Sequence, residues 1–172
     1  HKEDAGSVWG DIATFLPYTL YIYFGNQEEM NYCYPLMKDW VDYIDRKDGE
    51  RGEKHYLFDF GFHFGDWLAL DGATPTSFKG STEDTYIASV YYCESVRKTA
   101  EIAETLGLTE DAAHYRKLEE KIRQAVLAEY FTPNGNYIHG VGIEPDIELE
   151  YEYLDKDATS YDEAYDNQIQ KA

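Results

Sequence analysis

Cysteine is scarce: Cys33 and Cys93 are the only two in the 172 residues. They share no metal-like spacing and build no disulfide framework. They read as thiols of a reducing, cytoplasmic compartment, or as buried thiols acting as small hydrophobes. Basic residues are few as well. Fifteen Lys and Arg face 34 Asp and Glu, a net charge of −19, and such a surface repels phosphate backbones and anionic lipids. Neither nucleic acid nor a membrane is an expected partner. No apolar run approaches the roughly 20 residues a bilayer span needs, and no cationic-then-apolar leader follows His1. The histidines His55, His63, His114 and His139 show no His-x-x-x-His or Cys-His spacing, so no metal is expected. A Gly-x-Ser-x-Gly elbow and a Gly-rich phosphate loop are also lacking, and no cofactor is implied.

Aromatic residues are abundant: 17 of them are tyrosines. Exposed rings suit a carbohydrate site, where the C–H face of a sugar packs on them while its hydroxyls bond to carboxylates. Tyrosine is equally at home on half-buried helix faces. Periodicity predicts four helices. The first spans about Asp11 to Phe24, with Ile12, Phe15, Leu16, Leu20 and Tyr23 recurring at helical spacing and Gly25 as a left-handed cap. The second spans about Glu28 to Ile44, with Met30, Tyr34, Met37, Val41 and Ile44 on one stripe. Pro17 and Pro35 each either kink their helix or mark its first turn. A charged loop from Asp45 to Lys54 leads into an aromatic, Gly-interrupted loop, Phe58 to Leu70, held against a core. The third helix starts after Ser81 or Thr82 as cap, carries Tyr86, Ile87, Val90, Tyr91, Cys93, Ala100 and Ala103, and stops at Gly107. Thr109 caps the fourth, which bears Ala113, Leu118, Ile122, Ala125 and Val126. The two helix pairs do not resemble each other, so a helical-repeat scaffold is not indicated.

Two short motifs could carry chemistry. Trp9-Gly10-Asp11 precedes the first helix, and Gly65-Asp66-Trp67 lies in the aromatic loop. In each, Gly allows close backbone approach, Trp offers an apolar plate, and Asp accepts hydroxyl bonds or handles protons. Asp11 also suits a helix N-cap, and Asp66 a loop-fixing side chain. Together the motifs suggest one end of a helical bundle furnished for a polyol. Glycoside hydrolysis needs two carboxylates across the bond. Asp11 and Asp66 match by residue type, but neither lies near an apolar stretch that would raise its pKa.

Trp9 to Thr14, Pro17 to Tyr21, Tyr34 to Val41, His63 to Ala69 and the third helix with Tyr91-Tyr92 resemble the bacterial α-L-rhamnosidases, in order, over about residues 6–131. The resemblance implies an all-α fold, a partial (α/α)6 barrel with two helical hairpins of a six-hairpin glycosidase. It implies hydrolysis of terminal α-L-rhamnose from a rhamnose-containing glycoside, with inversion. It places Trp9 and Trp67 in the lining of the sugar pocket, with Asp11 and Asp66 beside them. The family's acid Glu falls in a segment before the position of His1 and its base Glu well after Tyr130. No catalytic residue is therefore assigned here, and the chain by itself is expected to be inactive.

From Asn136 onward ten acids face two bases and aliphatics are few, which reads as an irregular acidic tail with one short strand, Ile147 to Tyr151. Thr132 to Asp146 and Asp166 to Ala172 resemble the end of carboxy-terminal processing serine proteases, without their nucleophilic Ser and Lys. This divides the chain into 6–131 and 132–172, with a fusion around Phe131 to Gly135. The alternative function is a non-catalytic helical interaction module whose acidic tail docks a partner.

Overall fold

A helix end must satisfy its first amide groups, and Asn26 does so here. Its side chain accepts from the Glu28 and Glu29 N–H groups at 3.1 and 3.2 Å, opening a helix that runs over Gln27–Glu50. The computed structural model describes residues 6–69 and 78–130. Within them lie α1 (Ile12–Phe24), α2 (Gln27–Glu50), α3 (Asp84–Thr105) and α4 (Thr109–Tyr130). Gly25 ends α1 at φ 65°, donating to the Tyr21 carbonyl. The expected tail, its strand from Ile147 to Tyr151 and the likeness to a processing protease lie outside the described residues.

Three boundaries differ from the sequence reading. α2 continues past Ile44 to Glu50 and buries Asp48 in its last turn. Lys47 reaches Glu50 at 3.1 Å, and Lys54, beyond the helix, closes back on Asp45 at 2.5 Å. α3 is not capped by Ser81 or Thr82; Glu83 holds the N-cap position and makes no side-chain cap bond. Thr109 is the first residue of α4 rather than its cap. Pro17 and Pro35 both sit inside their helices.

Short connections make antiparallel neighbours of α1 with α2 and of α3 with α4. The α3–α4 pair packs most extensively, and α2 lies against α3. The core joins Val41 and Ile44 of α2, Tyr92 and Val96 of α3, Tyr115 and Ile122 of α4, and Phe58 from the long loop. A second cluster, around Met30, Tyr34, Met37 and Ile102, extends it. The α2 stripe is thus buried as its spacing predicts. The α1 stripe is not: Ile12, Leu16, Leu20 and Tyr23 are exposed, and α1 buries Thr14 and Pro17 instead. The reason is polar. Thr14 Oγ1 lies 2.8 Å from Ser95 Oγ, the Tyr18 hydroxyl donates to Glu101 at 2.7 Å, and the Lys98 ammonium lies against the Phe15 and Tyr18 rings at 4.7 and 4.4 Å. These contacts turn the helix onto α3 by its mixed face. No helix among the described residues is long and apolar enough to cross a membrane.

Candidate functional site

The turn before α1 and the loop between α2 and α3 meet at one end of the bundle. In the turn, Gly10 N–H returns to the Gly6 carbonyl at 3.0 Å, and Val8 is held at φ 70°. A β-branched residue rarely adopts that left-handed conformation. The next residue, Trp9, is 71% exposed. A Cβ at Gly10 would overlap the Trp40 ring, so glycine lets the turn lie flat on α2. The Ser7 N–H donates to His63 Nδ1 at 3.2 Å, joining the turn to the loop. An accepting Nδ1 puts the proton of neutral His63 on Nε2. Burial pushes the His63 pKa below the usual imidazole value, against the pull of the Phe60 carbonyl, Asp84, the Phe58 carbonyl and Asp11.

In the loop, His63 enters the core against Phe58, with ring centroids 4.5 Å apart, while Phe62 is exposed and Phe64 half-buried. Gly65, at φ 62°, turns the chain where a Cβ would meet the Asp84 carboxylate. A short antiparallel bridge then pairs Trp67 with Lys79; Leu68 N–H bonds the Phe78 carbonyl at 2.7 Å and Gly80 N–H the Asp66 carbonyl at 2.8 Å. Lys79 is ion-paired with Asp84.

The rings that result are contiguous. Trp9 meets Phe64 at 5.9 Å between centroids, Phe64 meets Trp67 at 5.5 Å, and Trp67 meets Phe78 at 4.7 Å. Phe62 joins at Phe64, 5.1 Å away. Trp9 and Trp67, far apart in sequence, thus share one exposed aromatic surface through Phe64. Of the two predicted carboxylates, Asp66 is half-buried beside Gly80. Asp11 is 1% exposed and turned inward, its oxygens accepting from Val8 N–H at 2.7 Å, Trp40 Nε1–H at 2.8 Å and the Ser95 hydroxyl at 2.7 Å. It makes no side-chain cap bond to α1. Sequence reasoning did not single out Phe62, Phe64 and Phe78, nor Trp40 and Ser95. The alternation Phe60, Phe62, Phe64 was a usable signal for Phe62 and Phe64; Phe78 and Ser95 carried none.

Elsewhere, ligand atoms of Asp48, His55 and Asp59 lie within 4.8 Å of one another. Arg51 already pairs with Asp59, and the Asp48 oxygens hold the His55 and Tyr56 N–H groups at 3.2 and 2.7 Å. This group closes the turn after α2. Cys33 and Cys93 are unpaired, and burial pushes the Cys93 thiol up to about 11.

The described residues thus form an all-helical unit that displays contiguous tryptophan and phenylalanine rings at one end. Comparison with known proteins carries this further. The bacterial alpha-L-rhamnosidase 6 hairpin glycosidase domain matches residues 1–170, a span that includes the acidic tail. An alpha-L-rhamnosidase of Alteromonas sp. (strain LOR) is 33% identical over 136 residues, 78% of this chain and 14% of that protein. Among solved structures, the native rhamnosidase of Aspergillus terreus superposes with a TM-score of 0.65 at 28% identity, over 79% of this chain and 15% of that one. The Streptomyces avermitilis alpha-L-rhamnosidase complexed with L-rhamnose gives a TM-score of 0.57 at 27% identity, over 74% and 11%. The chain belongs to the bacterial α-L-rhamnosidase six-hairpin glycosidase family. The four helices of the described residues form part of such a helical barrel, and the chain spans between 11% and 15% of the length of these relatives.

Proposed function

We propose that the surface made by Trp9, Phe64 and Trp67 is one wall of a rhamnose pocket, and that the whole enzyme releases terminal α-L-rhamnose with inversion. The observation that carries this reading is the meeting of two exposed tryptophans on Phe64. Indole faces pack against the C–H face of a pyranose, and half-buried Asp66 at the same end can accept a hydroxyl.

The same reading expects the described residues to bind sugar without turning it over. An inverting glycosidase needs a carboxylic acid kept protonated and a carboxylate across the bond from it. Among the described residues, the carboxylates with displaced pKa values are all displaced downward. Arg97 and Lys98 hold Glu94 at about 2. Arg116 lowers Glu104, Lys38 and Tyr34 lower Asp111, and Arg123 lowers Glu120. Asp59 lies below its usual value because Arg51 and His55 outweigh its burial.

Calorimetric titration with L-rhamnose and an assay for p-nitrophenol release from its α-L-rhamnoside test the two halves. Saturable binding without turnover is expected. Trp9→Ala and Trp67→Ala should each weaken binding about tenfold, the scale of a lost aromatic contact plus its buried area. Absence of binding removes the pocket reading; turnover removes the claim that the acid–base pair lies elsewhere. In the full-length enzyme, proton NMR during hydrolysis should show β-L-rhamnose as the first anomer released, and the α anomer first would mean retention.

A further inference from the structure

The Asp11 carboxylate is the least expected group in the interior. It is 1% exposed, and its hydrogen-bond donors are neutral ones from three separate places: Val8 of the turn, Trp40 of α2 and Ser95 of α3. Burying a carboxylate is costly unless donors satisfy it, and an ordinary helix cap needs no such cross-linking. What the carboxylate fixes is the turn. Val8 is held in a left-handed conformation that a β-branched residue keeps only where its surroundings over-determine it, and its N–H is one of the three donors. The residue that this strained turn presents, Trp9, contributes little to the core. It stands 71% exposed against Phe64. The Trp40 ring that donates to Asp11 is also the ring on which Gly10 lies. Ser95 is itself tied to Thr14 of α1 at 2.8 Å.

We infer that Asp11 is a positioning residue which, with Ser95 and Trp40, holds Trp9 in register with Phe64 and Trp67. It acts on sugar binding through that ring and not by touching the sugar. The inference rests on the pocket reading above and names the buried device that preorganises the pocket.

The test combines sugar affinity with a report from the ring itself. In protein labelled with 5-fluorotryptophan, the fluorine resonance of Trp9 is assigned by Trp9→Phe. Asp11→Asn replaces one accepting oxygen by a donating amide, so Val8 or Trp40 loses its acceptor. Rhamnose affinity should fall about tenfold, the scale of a lost hydrogen bond to a charged group. The Trp9 resonance should shift or broaden while that of Trp67 holds. Ser95→Ala, which removes one donor and spares the rest, should give a smaller loss of about threefold with the same change in the Trp9 signal, and it carries the test if Asp11→Asn does not fold. In a Trp9→Ala background either substitution should change affinity less than about twofold, because its route of action is gone. Equal losses in both backgrounds, or an unmoved Trp9 resonance, would overturn the inference. If the unaltered protein does not bind rhamnose, the pocket reading falls, and the fluorine spectra alone decide whether Asp11 positions Trp9.

Discussion

Gly10 shows how one residue sets a site by what it leaves out. A methyl group there would enter the Trp40 ring, and Trp40 cannot retreat without giving up its bond to Asp11. Gly10→Ala is expected to destabilise the chain by about 1–3 kcal/mol, the scale of an overpacked contact. Urea unfolding reads this as a lower midpoint at unchanged slope; a midpoint equal to that of the unaltered chain would mean the turn does not lie on Trp40. The motif Trp9-Gly10-Asp11 was legible in the sequence as a tryptophan, a close approach and a carboxylate. Which side chain faces outward was not. That depends on Ser95 and Trp40, remote in sequence, whose hydroxyl and indole donors pull the carboxylate inward while the strained Val8 turns the indole out.

At the scale of elements, α1 and α2 divide the lesson. Both have apolar residues at helical spacing, yet α2 buries its stripe and α1 exposes Ile12, Leu16, Leu20 and Tyr23. Periodicity identifies a helix and a face; it does not say which neighbour covers the face. Here the polar ties of Thr14 and Tyr18 to α3 settle the rotation of α1. Stability measurements separate the two helices. Ile44→Ala removes a fully buried side chain and should cost about 2–5 kcal/mol. Leu16→Lys should fall within about 0.5 kcal/mol of no effect. A comparable loss from both would mean that α1 is turned the other way. The extension of α2 to Glu50 escaped the sequence because a run of charges with Gly49 has the composition of a loop, whereas Asp48 is buried there and holds the His55 and Tyr56 N–H groups of the following turn.

For the whole molecule, buried phenols couple the fold to alkaline pH. Burial, followed by Asp111 for Tyr34 and Asp42 for Tyr115, raises both pKa values above the ordinary phenol range, and burial raises that of Tyr92. A group whose pKa is raised on folding contributes stability that is fully present below its unfolded value, about 10, and is lost as pH rises beyond it. The urea midpoint should therefore drop as pH passes 10. Of the 17 tyrosines, absorbance at 295 nm should show a group that ionises only together with loss of helix. Complete ionisation with helices intact would contradict the described core. The account as a whole stands on the aromatic surface being a rhamnose site, and the three tryptophans permit one direct measurement. Indole N–H resonances followed during an L-rhamnose titration should show Trp9 and Trp67 shifting together along a single binding curve. Trp40, bonded to Asp11 beneath them, should move much less. Trp9 and Trp67 left in place at saturating sugar, or shifting with different affinities, would contradict a shared pocket.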